Sequence, residues 1–404
     1  MVPRKEYLDR ILSHKEKDVI KVVTGVRRCG KSTLFSLYQK DLQDKGVGTD
    51  QIISINLEDL AYEHLLNYKS LHDYIQNLLI PDKMNYIFID DVQKCPNFEK
   101  AVDSLHIKPN TDLYITGSNA YMLSGELATL LSGRYVEISM LPLSFAEYHS
   151  GTNESPLNIQ EKFKKYLKFG SFPHLADQSF TETAIMEYLE GIQNSIIVKD
   201  IATREKITDT SLLLRVMKTL MSNIGSPVSV KKISDTIVSS GRKTTVDTVD
   251  HYLKALTDAY IFYKVERFDI KGKDFLKTNG KYYCVDTGLR SLVIHRQDSD
   301  IGHLIENLVY LELIRRGYKV SIGKIGEKEV DFVAEKMDEL LYFQVSASVL
   351  DQGTKERELA PFEKIKDHFP KILLTLDEFG NGTLENGVIQ RNLIQWLLEK
   401  NDLP

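Results

Sequence analysis

The sequence predicts an α/β fold in which a parallel sheet comes first and smaller helical and mixed modules follow. A glycine-rich loop stands between a β-branched run and an amphipathic run within residues 19–42. Two later apolar runs, over residues 85–91 and 112–120, end in polar side chains. The length of 404 residues exceeds one ordinary hydrophobic core, so we expect roughly two to four domains.

The overall composition is that of a soluble globular protein, with 42% hydrophobic and 27% charged residues. No apolar run reaches the roughly 18 residues that cross a bilayer, and the first residues lack a secretory signal pattern. The cysteines Cys29, Cys95 and Cys284 are too far apart for a zinc site or a disulfide framework, which favours a reducing cytoplasm. A net charge of -5 excludes a chain that is basic throughout.

The glycine-rich loop reads GVRRCGKS and fits G-x-x-x-x-G-K-[ST] at every position. Glycines allow the tight turn that points successive N–H groups at a phosphate. In this pattern Lys31 reaches the β- and γ-phosphates, and the Ser32 hydroxyl binds Mg²⁺. The predicted nucleotide-binding residues are Gly25, Val26, Arg27, Arg28, Cys29, Gly30, Lys31, Ser32 and Thr33.

The surroundings of this loop favour a working site over a plain glycine turn with a solvated Lys31. The run VIKVVTG before it predicts a buried strand. The run STLFSLYQKDLQ after it predicts a helix with Leu34, Leu37, Tyr38 and Leu42 at helical spacing. Strand, loop and helix in this order form the arrangement that the motif requires.

A second site element is the run NYIFIDD, which predicts a buried strand that ends in two carboxylates. Asp90 is the candidate ligand for the metal ion. Asp91 stands where many proteins with such a phosphate-binding loop have a Glu that polarises the attacking water. The Asp side chain is one methylene shorter than that Glu. The alternative is that both residues simply end a strand, which is less favoured beside a phosphate-binding loop.

Two further segments supply candidates for the same site. The β-rich run DLYITGSNA offers Ser118 or Asn119 as a hydrogen-bond partner of the water or of the γ-phosphate. Arg134 precedes a fifth predicted strand, and in an oligomer it would act in trans as an arginine finger. The alternative for Arg134 is a surface ion pair with Glu126 or Glu137.

Together, the segments GVRRCGKS, IFIDDVQ, ITGSNAYML and LSGRYVEISMLPLSFAEY resemble the AAA+-type ATPases of prokaryotes that carry a C-terminal domain of unassigned function. The resemblance covers residues 1–150 and implies a P-loop ATPase core with five parallel strands that binds ATP and Mg²⁺. It implies Walker A residues, Walker B residues, a sensor and a GR arginine, which here are Gly30, Lys31, Ser32, Asp90, Asp91, Ser118 or Asn119, and Arg134. The Asp at position 91 puts the hydrolysis rate in question.

The rest of the chain divides into three predicted parts. Residues 151–205 form amphipathic helices, which the resemblance identifies as a lid or connector. Residues 206–282 hold 14 Lys and Arg but 8 Asp and Glu, a local excess that points to a polyanion. Two helices and two strands in this part predict a winged helix-turn-helix. Residues 283–404 resemble a restriction-endonuclease-like fold.

The second helix of the winged unit is predicted to bury Val246, Val249, Leu253 and Leu256 and to begin at Thr244 or Thr245. Its other face would enter a DNA groove. The candidate DNA contacts are Arg242, Lys243, Thr244, Thr245 and Thr248. Docking of a protein is the open alternative, because Asp247 and Asp250 on the same helix repel phosphate.

The endonuclease-like part is predicted to have lost nuclease chemistry. The fold uses a helix Glu, an Asp and a Glu-x-Lys pair to hold a metal ion and orient water. Glu306 and Asp331 match the first two, but Gln344 and Ser346 replace the last pair. Neither an amide nor a hydroxyl supplies the missing charge.

These patterns predict an ATP-binding, Mg²⁺-dependent ATPase that couples its nucleotide state to a C-terminal module. The expected partner of that module is double-stranded DNA or a protein, with oligomerisation allowed and no membrane involved. One alternative is an ATP-gated DNA-binding regulator with little turnover. A metal-dependent nuclease is the less favoured alternative.

Overall fold

A computed structural model describes residues 2–118, 131, 133–177, 180–294 and 301–399 of the chain. The chain divides into two compact units: residues 1–142 with 258–260, and residues 143–257 with 261–404. The candidate sensor Asn119 and the candidate ion-pair partner Glu126 lie outside the described residues. Among the residues described, no helix is both long and apolar enough to cross a bilayer.

The first unit alternates helices and strands along the chain. Its helices are α1 (Lys5–Ser13), α2 (Lys31–Asp44), α3 (Tyr68–Leu78) and α4 (Phe98–His106). Its strands are β1 (Ile20–Thr24), β2 (Ile52–Asn56), β3 (Asn85–Asp90), β4 (Thr111–Gly117) and β5 (Tyr135–Ser139).

The strands of the first unit form a parallel sheet in the order β2-β3-β4-β1-β5. Alternate residues of β3 point to opposite faces. Ile87 and Ile89 join an aliphatic core on one face, while Phe88 stacks on Tyr114 of β4 at 4.8 Å on the other. Since all strands run the same way, the loops after β1, β3 and β4 meet at one edge of the sheet.

The second unit opens with a series of helices. They are α5 (Phe145–Gly151), α6 (Ile159–Phe169), α7 (Glu182–Ser195), α8 (Thr210–Ser222), α9 (Val230–Ser239) and α10 (Val246–Asp258). Gly170 caps the C-terminal end of helix α6, and its positive φ of 81° suits a residue without a Cβ. After α7 the chain continues in a π-helical turn over Ile196–Ala202.

A mixed sheet follows in the second unit. Its strands are β6 (Phe262–Asp269), β7 (Asp274–Cys284), β8 (Lys319–Ile325), β9 (Lys328–Lys336), β10 (Glu339–Ser346), β11 (Lys371–Thr375), β12 (Gly382–Thr383) and β13 (Ile389–Asn392). Their order is β12-β13-β11-β10-β9-β8-β6-β7. The helices within this region are α11 (Thr287–Ser291), α12 (Ile301–Arg315), α13 (Gln352–Leu359) and α14 (Leu393–Leu398).

The hairpin β6–β7 is part of the same sheet as the later strands, because β6 pairs in parallel with β8. The boundary expected between residues 282 and 283 therefore falls inside β7. Helix α10 begins one residue after Thr245, whose Oγ1 accepts from the Thr248 N–H at 3.1 Å. Val249 and Leu253 are buried as expected, but Val246 is 43% exposed. That expectation was wrong because Val246 is the first helical residue and lies beyond the end of the buried stripe.

Candidate functional site

The glycine-rich loop of residues 25–32, called the P-loop below, links β1 to α2. It depends on backbone conformations that few side chains tolerate. Gly25 has φ of 142°, and a Cβ on it would lie 2.1 Å from the Met140 carbonyl oxygen. Gly30 has φ of 105° at the start of α2, and Arg28 also has a positive φ, 69°. These conformations fold the loop tightly around the N-terminus of α2, where free N–H groups favour an anion.

Lys31 lies inside this loop. Its side chain is buried, and Nζ donates to the carbonyl oxygens of Gly25 at 2.9 Å and Val26 at 3.2 Å. Ser32, the next residue, is exposed in the first turn of α2. A phosphate is a stronger partner for an ammonium group than a neutral carbonyl. The loop therefore holds a cation at the place where the motif requires one.

A buried arginine outside the motif, Arg4, links the P-loop to the segment that follows β5. Arg4 is 3% exposed, and its guanidinium donates to the carbonyl oxygens of Cys29 at 2.9 Å and Leu141 at 2.7 Å. It also lies over the Tyr7 ring, 4.8 Å from the centroid. Sequence reasoning missed Arg4, since no local pattern connects it to a loop 25 residues further along the chain.

The two carboxylates after β3 occupy different environments. Asp90 is buried at the end of the strand and accepts from the Thr116 hydroxyl of β4. Asp91 has φ of 55°, and its N–H donates to the same hydroxyl at 2.9 Å. Burial and the adjacent Asp90 raise the pKa of Asp91, while Lys31 lowers it. Lys31 and Asp91 thus lie within electrostatic reach of each other.

The predicted sensor position lies on the neighbouring strand end. Ser118 is buried directly after β4, and Gln93 Nε2 lies 3.4 Å from its Oγ. The same Gln93 nitrogen donates to Asp91 Oδ1 at 2.7 Å. Thr116 and Gln93 are contacts that sequence reasoning did not identify. Both lie in the segments that carry the candidate site residues, Gln93 in IFIDDVQ and Thr116 in ITGSNAYML.

Charged side chains line the rim of the loop. Arg27, in the P-loop, lies 3.2 Å from a carboxylate oxygen of Glu58, which follows β2. Lys94 lies 3.7 Å from the same oxygen. Arg28 is exposed. The rim therefore brings together charges from the loops after β1, β2 and β3.

Arg134 lies at the opposite edge of the sheet from the P-loop. It directly precedes β5, and its carbonyl oxygen accepts from the Ile20 N–H at 2.8 Å, at the start of β1. The P-loop follows Thr24 at the other end of β1, about 15 Å away along the strand. Glu137, the suggested partner of Arg134, accepts from the Thr24 hydroxyl at 2.6 Å. A role for Arg134 in its own subunit's site does not fit this geometry, and a role in trans stays a prediction.

Two family models match parts of the chain. Residues 17–149 match the AAA domain family, and residues 160–300 match a domain of unknown function (DUF8612). An uncharacterized protein of Haemophilus influenzae is 40% identical over 404 residues, which is 99% of each chain. Residues 17–149 therefore belong to the AAA domain family, and the whole chain belongs to one family with the Haemophilus protein.

Two other proteins extend this comparison. The uncharacterized protein MJ1544 of Methanocaldococcus jannaschii is 30% identical over 371 residues, which is 86% of this chain and 79% of its own. The Walker-type ATPase PABY2304 of Pyrococcus abyssi is 16% identical, with a TM-score of 0.51 over 72% of this chain and 96% of its own. The last similarity is one of fold.

The predicted DNA contacts lie in the second unit and differ in their surroundings. Arg242 is engaged within the unit, since its guanidinium donates to Ser211 Oγ at 2.8 Å and pairs with Asp209. This arginine lowers the pKa of Asp209. Thr245 and Thr248 hydrogen-bond each other at the start of α10. Thr244 is half-buried, and Lys243 is exposed.

The residues that were compared with the endonuclease pattern, Glu306, Asp331 and Gln344, lie in the second unit. Glu306 of α12 accepts from Lys281 Nζ at 3.1 Å and from the Tyr283 hydroxyl at 2.6 Å, both from β7. Burial and the charge of Glu306 raise the pKa of Asp331. Gln344 accepts from the Asp331 N–H at 3.3 Å. Lys281 is a cation in this cluster that sequence reasoning missed, because it comes from the preceding hairpin.

Ser346 adds no charge to this cluster. Its hydroxyl donates to the Ser348 carbonyl oxygen at 3.1 Å. The amide of Gln344 donates to Glu358 of α13 at 2.9 Å. The loss of nuclease chemistry stays a prediction.

Proposed function

We propose that the chain is a Mg²⁺-dependent ATPase whose nucleotide state governs a partner-binding or DNA-binding surface in its second unit. The observation that carries this proposal is that Lys31, after β1, and the Asp90–Asp91 pair, at the end of β3, lie at the same carboxyl edge of the parallel sheet. Lys31 lies within the P-loop, and its charge acts on Asp91. A cation for phosphate beside carboxylates for metal and water is the arrangement that phosphoryl transfer requires.

The residues present fit a magnesium ion. Mg²⁺ prefers oxygen ligands and is usually held by one or two protein groups together with substrate phosphates. Ser32 offers an exposed hydroxyl in the first turn of α2, and Asp90 offers a carboxylate at the end of β3. The Thr116 hydroxyl donates to Asp90 and fixes the orientation of that carboxylate. When bound, the ion neutralises charge on the β- and γ-phosphates.

In the proposed reaction, Asp91 accepts a proton from the attacking water. The water oxygen bonds to the γ-phosphorus, and the bond from that phosphorus to the β,γ-bridging oxygen breaks. ADP keeps the bridging oxygen, and inorganic phosphate leaves. Lys31 holds the β- and γ-phosphates, and Ser118 is the candidate hydrogen-bond partner of the γ-phosphate.

The second unit supplies the candidate partner surface. Helices α8, α9 and α10 followed by the β6–β7 hairpin support a winged-helix interpretation. Residues 206–282 carry an excess of six positive charges in a chain of net charge -5. Lys231, Lys232 and Lys243 are exposed in this region. We therefore propose double-stranded DNA as the partner, with an acidic protein surface as the alternative.

The deciding experiment measures MgATP binding and hydrolysis by the wild type, Lys31→Ala and Lys45→Ala, each with and without double-stranded DNA. Lys45→Ala is the matched control, because Lys45 is exposed at the C-terminal end of the same helix and pairs with Asp41. We expect Lys31→Ala to abolish hydrolysis, Lys45→Ala to retain it and DNA to raise the wild-type rate.

Other outcomes separate the alternatives. Binding of ATP without turnover, together with ATP-dependent DNA binding, favours the nucleotide-gated regulator. Absence of ATP binding by the wild type contradicts the proposal at its first step.

A further inference from the structure

Gln93 lies in a single helical turn, Val92–Lys94, directly after the carboxylate pair. The positive φ of Asp91 turns the chain out of β3, and the Lys94 N–H donates back to the Asp91 carbonyl oxygen at 3.1 Å. This turn brings the Gln93 side chain back over the residue that precedes it by two positions. Its amide nitrogen donates to Asp91 Oδ1 at 2.7 Å and lies 3.4 Å from Ser118 Oγ.

One amide nitrogen carries two hydrogens, so Gln93 has a donor for each of these two oxygens. Asp91 follows β3, and Ser118 follows β4, which pairs with β3 in parallel. The contact therefore links a candidate base on one strand end to a candidate phosphate sensor on the next. Holding Oδ1 leaves Oδ2 of Asp91 to accept a proton from water.

The need for such a link follows from the length of the side chain at position 91. An aspartate reaches one methylene less far than a glutamate, so its orientation has less room for error. Misplacement of a reacting group by about 1 Å lowers a rate by roughly a hundredfold. A hydrogen bond to an ionised acceptor is short and strong, which makes Gln93 effective at fixing the carboxylate.

We propose that Gln93 is a positioning residue that aligns the Asp91 carboxylate with Ser118 for activation of the attacking water. This inference rests on the proposed ATPase function. Gln93 transfers no proton and touches neither phosphate nor metal in this role. It acts only by holding Asp91 in the orientation that hydrolysis requires.

If Gln93 had only a structural role, its substitution would lower the Tm rather than specifically the kcat. The Gln93 side chain is exposed, so its substitution should change the free energy of unfolding little. Gln93→Met keeps an unbranched chain of similar length and removes both donors. We expect kcat to fall about tenfold or more, while the Kd for MgATP and the Tm stay within experimental error.

The matched control is Gln39→Met. Gln39 lies on α2, and its amide also donates to a serine hydroxyl, that of Ser54, at 3.0 Å. The same substitution there should leave kcat unchanged. An equal fall of kcat in both variants, or no fall in Gln93→Met, overturns the positioning role.

A double-mutant cycle tests whether Gln93 acts through Asp91. In the Asp91→Asn background, measured by single turnover, Gln93→Met should change the remaining rate by less than about twofold, because the group it positions is already gone. In the Asp91→Glu background the longer side chain should make Gln93→Met less damaging than in the wild type. Independent, multiplying losses in both backgrounds overturn the proposal.

Failure of this inference is distinguishable from failure of the proposed function. Wild-type protein that binds MgATP without turnover overturns the positioning role but leaves nucleotide binding standing. Wild-type protein that binds no MgATP overturns both.

Discussion

At the scale of single residues, two buried cations hold the P-loop through its carbonyl oxygens. Lys31 donates to Gly25 and Val26 from inside the loop, and Arg4 donates to Cys29 from outside it. The two differ in what a nucleotide would change. A phosphate competes for Lys31, whereas Arg4 lies outside the motif and ties the loop to Leu141 after β5. We therefore expect the Arg4 hydrogen bonds to persist when a nucleotide binds, whereas those of Lys31 are replaced.

Arg4→Met should weaken both the fold and nucleotide binding. The substitution leaves the buried carbonyl groups of Cys29 and Leu141 without their donor, and each such group costs about 1–3 kcal/mol. We expect a lower free energy of unfolding in urea and a several-fold higher Kd for MgATP, since the loop is less well ordered before binding.

Lys5→Met is the control for this prediction. Lys5 is the next residue and is exposed. The Lys5→Met substitution also removes one positive charge, but from an exposed side chain. The free energy of unfolding of this variant should therefore stay within about 0.5 kcal/mol of the wild type. An Arg4→Met variant with the wild-type free energy of unfolding and the wild-type Kd for MgATP would show that the P-loop does not depend on the Arg4 hydrogen bonds.

At the scale of secondary-structure elements, a buried ion pair joins β1 to β4. Lys21 is fully buried and pairs with Asp112, which also accepts from the Tyr114 hydroxyl at 2.6 Å and the Glu16 N–H at 2.8 Å. Lys21 also donates to the Lys17 carbonyl oxygen at 3.0 Å. Since both charges are buried, removal of one partner leaves the other without its counter-charge, even though its remaining hydrogen bonds persist.

Lys21→Met should lower the free energy of unfolding by about 3–5 kcal/mol, because it leaves the Asp112 carboxylate buried and unpaired. The double variant Lys21→Met/Asp112→Leu should recover much of this loss. Urea unfolding measures both values. Lys45→Met, which breaks the exposed pair with Asp41, should cost less than about 1 kcal/mol. A loss in Lys21→Met as small as that of Lys45→Met would contradict the argument.

The elements of the first unit were predictable because their signals are local. The strand before Gly25, the helix after Lys31 and the carboxylates after β3 each follow from a run of adjacent residues. The supporting contacts were not predictable, since they join distant segments: Arg4 reaches Leu141, and Thr116 reaches Asp90. Such pairs are defined by the order of strands in the sheet, which no single run of residues encodes.

At the scale of the whole molecule, charge is distributed unevenly. Residues 206–282 carry an excess of six positive charges, while the rest of the chain carries a net excess of negative charge. Part of the basic set is engaged internally, as Arg242 is with Asp209. The exposed lysines Lys231 and Lys232 at the start of α9 and Lys243 before α10 remain as candidate phosphate contacts. The charge pattern therefore favours a polyanion at this region over the rest of the surface.

Replacing Lys231, Lys232 and Lys243 together by Gln should weaken binding of double-stranded DNA. Each phosphate contact contributes about 0.9 to the slope of log K against log salt, so loss of all three should reduce that slope by about 2–3. We expect at least a tenfold loss of affinity at low salt and unchanged ATP hydrolysis in the absence of DNA. Fluorescence anisotropy at several salt concentrations measures the slope.

The matched control for this triple variant removes three exposed lysines from the first unit, Lys40, Lys69 and Lys83. It changes the net charge by the same amount, so a purely global charge effect would weaken DNA binding equally in both variants. A loss confined to the α9–α10 lysines supports a DNA surface there. DNA binding that survives in both variants places the contact elsewhere, and DNA binding absent from the wild type leaves an acidic protein as the partner to test.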